Sequence, residues 1–433
     1  MDLETKRLDG ANARIHAKPS MQDFEEKSKK IAQKIAKSTK LDGFRKGKVP
    51  LDIVRQRYQG HIEQESQKEL LDSVLRAGVE ALELAPQEMI GNPAILKFSR
   101  EDTHFEIELG IGLRPTIDLS GVEACIPSFS VEEITQAQVQ ERLDLLAKER
   151  STFSDAPEGS AVSKGHGVVV DFEGLLDNQP FEGNRAQNFA LIVGEGRLVE
   201  GFEKELVGMK VGDEKYFSVH FPKDYANTTL ADKEVSFRVK LHQIQVRKIP
   251  EIDEEFVKAV LNQEKEPTLE LLQQRIKDQL FLEAKTKLYN QELKERLIDN
   301  LDNALSFDLP STIVEQEMDL SLRQSLQGMP AEEIKRLQEN PAKVQKKRES
   351  FRENALKSVK VTFIIDALAK QEKIEVQDNE VFQTLYYEAM ATNQNPQQFI
   401  EHYQKNNMLP AVKMAMVEDR VLTFLLDKHL AKA

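Results

Sequence analysis

Apolar and polar positions change their rhythm three times along the 433 residues. From Leu3 to Leu8 and from Ala13 to Ala17 they alternate, with Asp9-Gly10 between the two runs. Alternation marks half-buried strands, and Asp-Gly is a strong hairpin turn. A helical spacing follows from Phe24 to Ser38, where Phe24, Ile31 and Ile35 share a side and lysines cover the rest. After a loop from Thr39 to Pro50, the positions Ile53, Val54, Ile62, Leu70, Val74 and Leu82 predict a second, longer helical region. Pro93 then precedes two strand-like stretches, Ala94 to Phe98 and His104 to Leu109. The pattern predicts a compact α+β domain over residues 1–112.

Residues 113–149 form a predicted extended linker and helix. Val122 to Ile126 reads as a strand that buries Cys125. The helix starts at Thr135, where Gln138 completes a capping box and Ile134 can staple onto Val139. The texture changes at Pro157-Glu158-Gly159. Glycines recur up to Gly212, with short alternating runs at Val168 to Phe172, Glu214 to Val219 and Val235 to Leu241. These predict a small twisted antiparallel sheet with tight turns, ending near Val246, so a second domain spans 150–247. From Pro250 onward only Gly328 remains of the glycines. Leu269, Leu272, Ile276 and Leu280 begin a helical region that runs through 248–433, and Pro310 opens another helix. A polar stretch with Pro330 and Pro341 reads as an interruption. Apolar stripes are thin relative to charge, which favours extended arms over a globule. The fold class expected is multi-domain α+β: an α+β N-terminal domain, a small antiparallel-sheet domain and an extended all-helical C-terminal domain.

At roughly 150 residues per domain the length suggests about three domains. With 31% charged residues the surface must be very polar. No apolar run approaches ~18 residues, so no membrane span is expected. The charged start, Met1 to Arg7, has no hydrophobic targeting core behind it, and a single cysteine suits a reducing compartment. A cytoplasmic location is the expectation. Net charge is −13, yet residues 26–57 hold eleven Lys or Arg against three Asp or Glu. A basic patch on an acidic body can recognise a polyanion locally without binding it everywhere.

That patch contains Gly43-Phe44-Arg45-Lys46-Gly47-Lys48-Val49-Pro50. The glycines free the backbone, Pro50 stiffens the exit, and three cations surround one aromatic. Such a tip can grip phosphates and plug a pocket, or it is a solvated loop with Phe44 folded back. The GxxxxGK[ST] spacing of a nucleotide loop is absent. None of the eight histidines forms an HExxH pair, and the carboxylates of the helical part interleave with lysines as on solvated helices. No metal site, cofactor or hydrolytic centre is expected.

The segment Gly43 to Pro50 resembles the ribosome-binding signature of the bacterial trigger factor family, and the likeness continues through Asp52-Ile53-Val54 and Arg57-Tyr58. Residues 150–247 resemble the FKBP-type prolyl isomerase domain that family carries. The blocks are Val170-Asp171-Phe172-Glu173-Gly174, Phe181-Glu182-Gly183, Phe189 to Gly194, Leu198 to Glu203, Phe221 to Tyr225 and Val235 to Val239. Leu309-Pro310 and Ile374 to Asp378 are weaker similarities in the helical part.

The resemblance implies a ribosome-associated, ATP-independent chaperone that shelters nascent polypeptides and isomerises X–Pro bonds. Gly43, Phe44, Arg45, Lys46, Gly47, Lys48 and Pro50 would dock at the exit tunnel on ribosomal RNA and a tunnel-rim protein. Nascent and unfolded chains would be the other partners, with room for a homodimer off the ribosome and no membrane. The pocket would comprise Phe172, Phe181, Glu182, Phe189, Leu198, Val199, Phe202, Tyr225 and Phe237. Glu182 stands where small relatives of the domain have Asp, and Asn227 replaces a second tyrosine, removing one hydroxyl. Isomerisation faces a barrier of ~18–20 kcal/mol set by C–N double-bond character, and needs no nucleophile. An apolar pocket that dehydrates the amide and holds it twisted acts by differential binding. Two rivals remain at this stage. One is a free isomerase whose helices serve dimerisation or substrate capture; the other is an interaction protein with an inactive pocket.

Overall fold

The computed structural model describes residues 1–38, 49–177, 179–181, 183–196, 198–223, 225 and 229–430. Gly43, Phe44, Arg45, Lys46, Gly47 and Lys48 of the expected docking loop, together with Glu182 and Asn227, lie outside the described residues. The chain forms two compact units, one from residues 1–130 and 287–433, the other from residues 131–286.

The first unit begins with the expected hairpin, β1 (Asp2–Arg7) and β2 (Asn12–Lys18), in antiparallel register Thr5↔Ile15. Ala13, Ile15 and Ala17 all point inward and are fully buried. Helix α1 (Met21–Ser38) starts where Ser20 and Asp23 bond each other's backbone N–H. Helices α2 (Leu51–Arg57) and α3 (Gln59–Ala81) follow, then β3 (Met89–Arg100) and β4 (Phe105–Leu113). The sheet order is β1-β2-β4-β3. Pro93 lies inside β3 rather than before it. The register shifts between Ile90 and Ala94, so the proline's missing N–H falls on a break in the ladder.

Helix α3 lies very close to this sheet at Gly78. A Cβ there would come within 2.1 Å of Ile15 Cδ1. Gly78→Ala is therefore expected to destabilise the unit despite a helix-propensity gain of about 1 kcal/mol. Overpacking costs about 1–3 kcal/mol, so a lowered thermal midpoint is expected, and an unchanged or raised one would contradict the contact.

The expected strand around Cys125 is instead a short helix, α4 (Val122–Cys125). Val122 and Cys125 are both buried, and a three-residue spacing puts two apolar side chains together on a helical turn but not on a strand. Burial raises the Cys125 thiol pKa.

In the second unit, α5 (Gln136–Glu149) has the predicted capping box, with Thr135 and Gln138 bonding each other's backbone N–H. The sheet comprises β5 (Thr152–Asp155), β6 (Gly167–Leu175), β7 (Arg185–Ile192), β8 (Glu214–His220) and β9 (Glu234–Lys248). Its order is β5-β9-β6-β7, with β8 also on β9. Helix α6 (Glu200–Leu206) precedes β8. Val139, Leu143 and Ala147 of α5 form a separate core with Phe256 and Val257 of α7 (Glu254–Val260) and Leu272 and Ile276 of α8 (Leu269–Leu288).

The first unit resumes at Lys287, at the end of α8, and continues through α9 (Lys294–Ala304), α10 (Ser311–Gln327), α11 (Ala331–Gln338) and α12 (Pro341–Glu349). The polar stretch read as an interruption is thus helical. Pro330 is an N-cap and Pro341 a first-turn residue, positions that start helices rather than stop them. Neither α11 nor α12 has a buried residue. By contrast α13 (Arg352–Glu372) is buried along much of its length. Its Ile364, Ile365 and Leu368 pack with Leu297 and Leu301 of α9, and with Leu422 and Leu425 further on in the chain. Helices α14 (Asp378–Ala391), α15 (Pro396–Lys405) and α16 (Leu409–Leu430) complete the chain, the last carrying Leu422 and Leu425.

The N-terminal hairpin is tied to the start of α10 through Asn12, which is 9% exposed. Its Nδ2 donates to the Leu309 carbonyl at 2.9 Å, and its Oδ1 accepts from Ser311 N and Oγ, each at 2.8 Å. The Gly10 N–H donates to Asp308 Oδ2 at 3.0 Å. Arg114 and Asp366 add an ion pair at 2.7 Å.

Candidate functional site

A concave aromatic cluster lies on the sheet of the second unit. Phe172 comes from β6, Phe237 from β9 and Phe202 from α6. Short helix α6 places Phe202 edge-on to its neighbours, with ring centroids 5.6 Å from Phe172, 5.3 Å from Phe217 and 5.1 Å from Phe237. Edge-to-face packing suits the quadrupoles of aromatic rings. Phe221 and Tyr225 lie in the segment after β8, their centroids 4.8 Å apart.

These rings, with Phe181, Gly183, Leu198, Val199 and Leu230, line a cleft of about 210 Å³. That is below the roughly 300–1,000 Å³ of drug-sized sites and suits one ring with its adjoining amide. Phe202 is 3% exposed at the base, and Tyr225 is 37% exposed at the mouth. None of the described lining residues is Asp, Glu, His, Lys or Arg; the Tyr225 hydroxyl is their side-chain polar group. The site can therefore dehydrate and orient a substrate, but its described wall holds no carboxylate or imidazole for proton transfer.

Gly174 makes the close packing feasible. A Cβ there would come within 2.7 Å of Phe237 Cε1 and 3.3 Å of Phe181 Cζ. The same residue is held by buried Asn184, whose Nδ2 donates to the Gly174 carbonyl at 3.0 Å. Asp171, beside Phe172, accepts from Asn188 N at 2.7 Å and pairs with His242 at 2.8 Å. The Asn188 N–H first, and the imidazole second, hold the Asp171 carboxyl below the usual range. Asn188 has φ +50, so this bond fixes an irregularity in β7 immediately before Phe189.

The structure brings Phe172, Phe181, Leu198, Val199, Phe202, Tyr225 and Phe237 together as expected from the sequence. Phe189 is not in the wall. It packs edge-on against Phe172 at 5.6 Å. Phe221, Leu230 and Gly183 are lining residues that the sequence reading did not select. Phe221 stood within a quoted block, Phe221 to Tyr225, which was its signal; Leu230 stood in none.

The described flanks of the basic loop are packed. Pro50 caps α2, while Val49 and Val54 join Ile31 and Ile62 in a small core with Tyr58 against it. Lys29, Lys30, Lys34 and Lys37 on α1, with Arg55 and Arg57 on α2, remain exposed.

Three family models match the chain. One described as the bacterial trigger factor protein covers residues 1–146, its C-terminus model covers 268–427, and FKBP-type peptidyl-prolyl cis-trans isomerase covers 158–242. Trigger factor of Helicobacter acinonychis (strain Sheeba) is 55% identical over 432 residues, 100% of this chain and 96% of that protein. The chain belongs to the trigger factor family. Trigger factor of Helicobacter hepaticus (strain ATCC 51449 / 3B1) is 43% identical over 433 residues, 100% of this chain and 98% of that one. A solved structure described as "Promiscuous Substrate Recognition in Folding and Assembly Activities of the Trigger Factor Chaperone" aligns at TM-score 0.62 and 18% identity, covering 99% of each chain. That likeness is one of fold: an α+β N-terminal domain, a small FKBP-like sheet domain and an extended helical C-terminal region. As a member of the trigger factor family, the protein is a ribosome-associated chaperone with peptidyl-prolyl isomerase activity, binding ribosomes and nascent chains.

Proposed function

We propose that isomerisation takes place in the aromatic cleft, with Phe172, Phe181, Leu198, Val199, Phe202, Phe221, Tyr225 and Phe237 as its working wall. The observation that carries this reading is a small apolar cleft with one hydroxyl at its mouth. A prolyl ring entering it leaves water, and the adjoining amide loses the solvation that favours its planar, charge-separated form. The Tyr225 hydroxyl is suited to donate to the substrate carbonyl as the bond twists. Interactions stronger in the twisted state than in either planar one lower the barrier. A coupled peptide assay and a proline-limited refolding assay test it; full activity after the cleft is filled by a bulky lining substitution would refute it.

Docking at the exit tunnel, on ribosomal RNA and a rim protein, would run through Gly43, Phe44, Arg45, Lys46, Gly47, Lys48 and Pro50, in a cytoplasmic protein that uses no nucleotide. The exposed cations of α1 and α2 support this reading, as does the fact that no described helix is long and apolar enough to cross a membrane. The proposed division of labour assigns docking to residues 1–112, a linker to 113–149, isomerisation to 150–247 and client holding chiefly to 248–433.

Most apolar segments of an unfolded client lack proline, so a one-ring cleft cannot cover them. The helical part exposes Leu320, Leu356, Tyr386, Tyr387, Met390 and Met408, each at least 40% accessible. Met318 is fully buried, whereas Met414 and Met416 pack against cores. Dispersed apolar contacts rimmed by charge suit an adaptable holder. A variant lacking residues 150–247 is accordingly expected to keep suppressing aggregation of a proline-poor client. Thr152, three residues after Glu149, is the register partner of Lys248, so the cut ends at Glu149 and Lys248 lie close and a short linker closes the gap. A folded deletion variant without holding activity would reverse this assignment.

A further inference from the structure

Among the described residues Glu203 is the buried carboxylate, at 5% exposure. It follows Phe202 on α6, yet it points away from the cleft into the backbone that precedes the helix. Its Oε2 accepts from Gly194 N at 2.7 Å and Gly196 N at 3.4 Å, and its Oε1 accepts from Leu198 N at 3.2 Å. Gly194 and Gly196 adopt φ +95 and +72, which turns successive N–H groups inward toward one carboxylate. A buried carboxylate is stable only when its lone pairs are met, so these bonds commit both the side chain and the segment to one arrangement. That segment leads directly into Leu198 and Val199, which form one wall of the cleft, while α6 supplies Phe202 at its base.

We propose that Glu203 is a positioning residue of the isomerase cleft: its carboxylate holds the backbone at Gly194, Gly196 and Leu198 onto α6, fixing the Leu198–Val199 wall relative to Phe202. Glu203 touches no substrate. It acts by presetting the width of the cleft, so that the wall is not reorganised as the amide twists. The inference rests on the isomerase reading above.

The test uses full-length Glu203→Gln and Glu203→Ala. Glutamine keeps the shape and one acceptor oxygen, but turns an NH2 group toward N–H donors. On a proline-containing tetrapeptide, kcat/KM is expected to fall about tenfold for Glu203→Gln and about a hundredfold for Glu203→Ala, mostly in kcat. Hydrogen exchange should accelerate at the amides of Gly194, Gly196 and Leu198, while β6 and β9 keep wild-type protection. Wild-type kcat/KM in a folded Glu203→Ala variant overturns the proposal. So does an activity loss with unchanged exchange in that segment, and so does a loss of protection across the whole sheet with activity falling only in proportion to the unfolded fraction. A wild-type protein inactive on the peptide overturns the isomerase reading itself, and the proposal with it.

Discussion

Combined Phe44→Ala, Arg45→Ala and Lys46→Ala substitutions are expected to abolish co-sedimentation with ribosomes while leaving the fold intact. An aromatic anchor at the centre of an interface contributes upwards of about 2 kcal/mol, and each cation–phosphate contact adds a salt-dependent increment. Losing the anchor and two cations together therefore weakens association by well over about a hundredfold at moderate salt. The salt dependence should flatten as well: two fewer phosphate contacts remove roughly 1.4–1.8 from the log–log slope. The helices on either side pack through Ile31, Ala32, Ala36, Val49, Val54 and Ile62, all of which the triple mutant keeps, so they should hold. Unchanged co-sedimentation of a folded triple mutant would remove the loop from the docking surface.

Phe202→Ala is expected to eliminate most isomerase activity, by about a hundredfold or more in kcat/KM. Its ring stands at the base of the cleft and contacts Phe172, Phe217 and Phe237 at once. Truncation opens a cavity where the prolyl ring would be gripped, and it costs about 3–5 kcal/mol of stability if the surroundings do not collapse. Activity must be read on protein shown to be folded. Phe202→Leu provides the control, because an apolar replacement of closer volume costs less stability while still removing the flat edge-on surface. Wild-type turnover from folded Phe202→Ala would take this residue out of the site. Holding of a proline-poor client should be unaffected by either substitution.

Features set by neighbours in the chain were legible in the sequence. The hairpin around Asp9-Gly10 and the capping box of Thr135 and Gln138 depend on four or five adjacent residues, and both are present. Val122 to Cys125 was misread because so short an apolar stretch supports two periodicities, and only packing decides between them. Strand β5 escaped notice, as its four residues contain a single large apolar side chain. Strand β7 is interrupted by the left-handed Asn188, which spoils alternation. Helices α11 and α12 were hidden because they bury nothing, so no apolar stripe announces them. In the cleft, the residues selected from the sequence all stood in recognisable blocks; Phe221 and Gly183 stood in such blocks and were passed over, whereas Leu230 reaches the cleft from an irregular segment whose path is set by tertiary contacts. Phe189 shows the converse, a ring in the right block that packs on Phe172 without lining the described wall. The three bonds to Glu203 depend on glycine torsions that residue spacing does not reveal.

The bonds of Asn12 span 297 and 299 positions in the chain. On a ribosome adding about 5–20 residues per second, roughly 15–60 s separate the synthesis of Asn12 from that of Ser311. Throughout that interval the turn after β1 is made but its distant partner is not, so the Asn12 amide has only its local bonds to Asp9 and water. The residues of the second unit, 131–286, are all translated within the same interval. A newly made copy can thus complete its isomerase sheet before its N-terminal hairpin is fastened to α10. Its own first unit spends that time as an unfinished chain, in need of the same protection the finished protein gives to others.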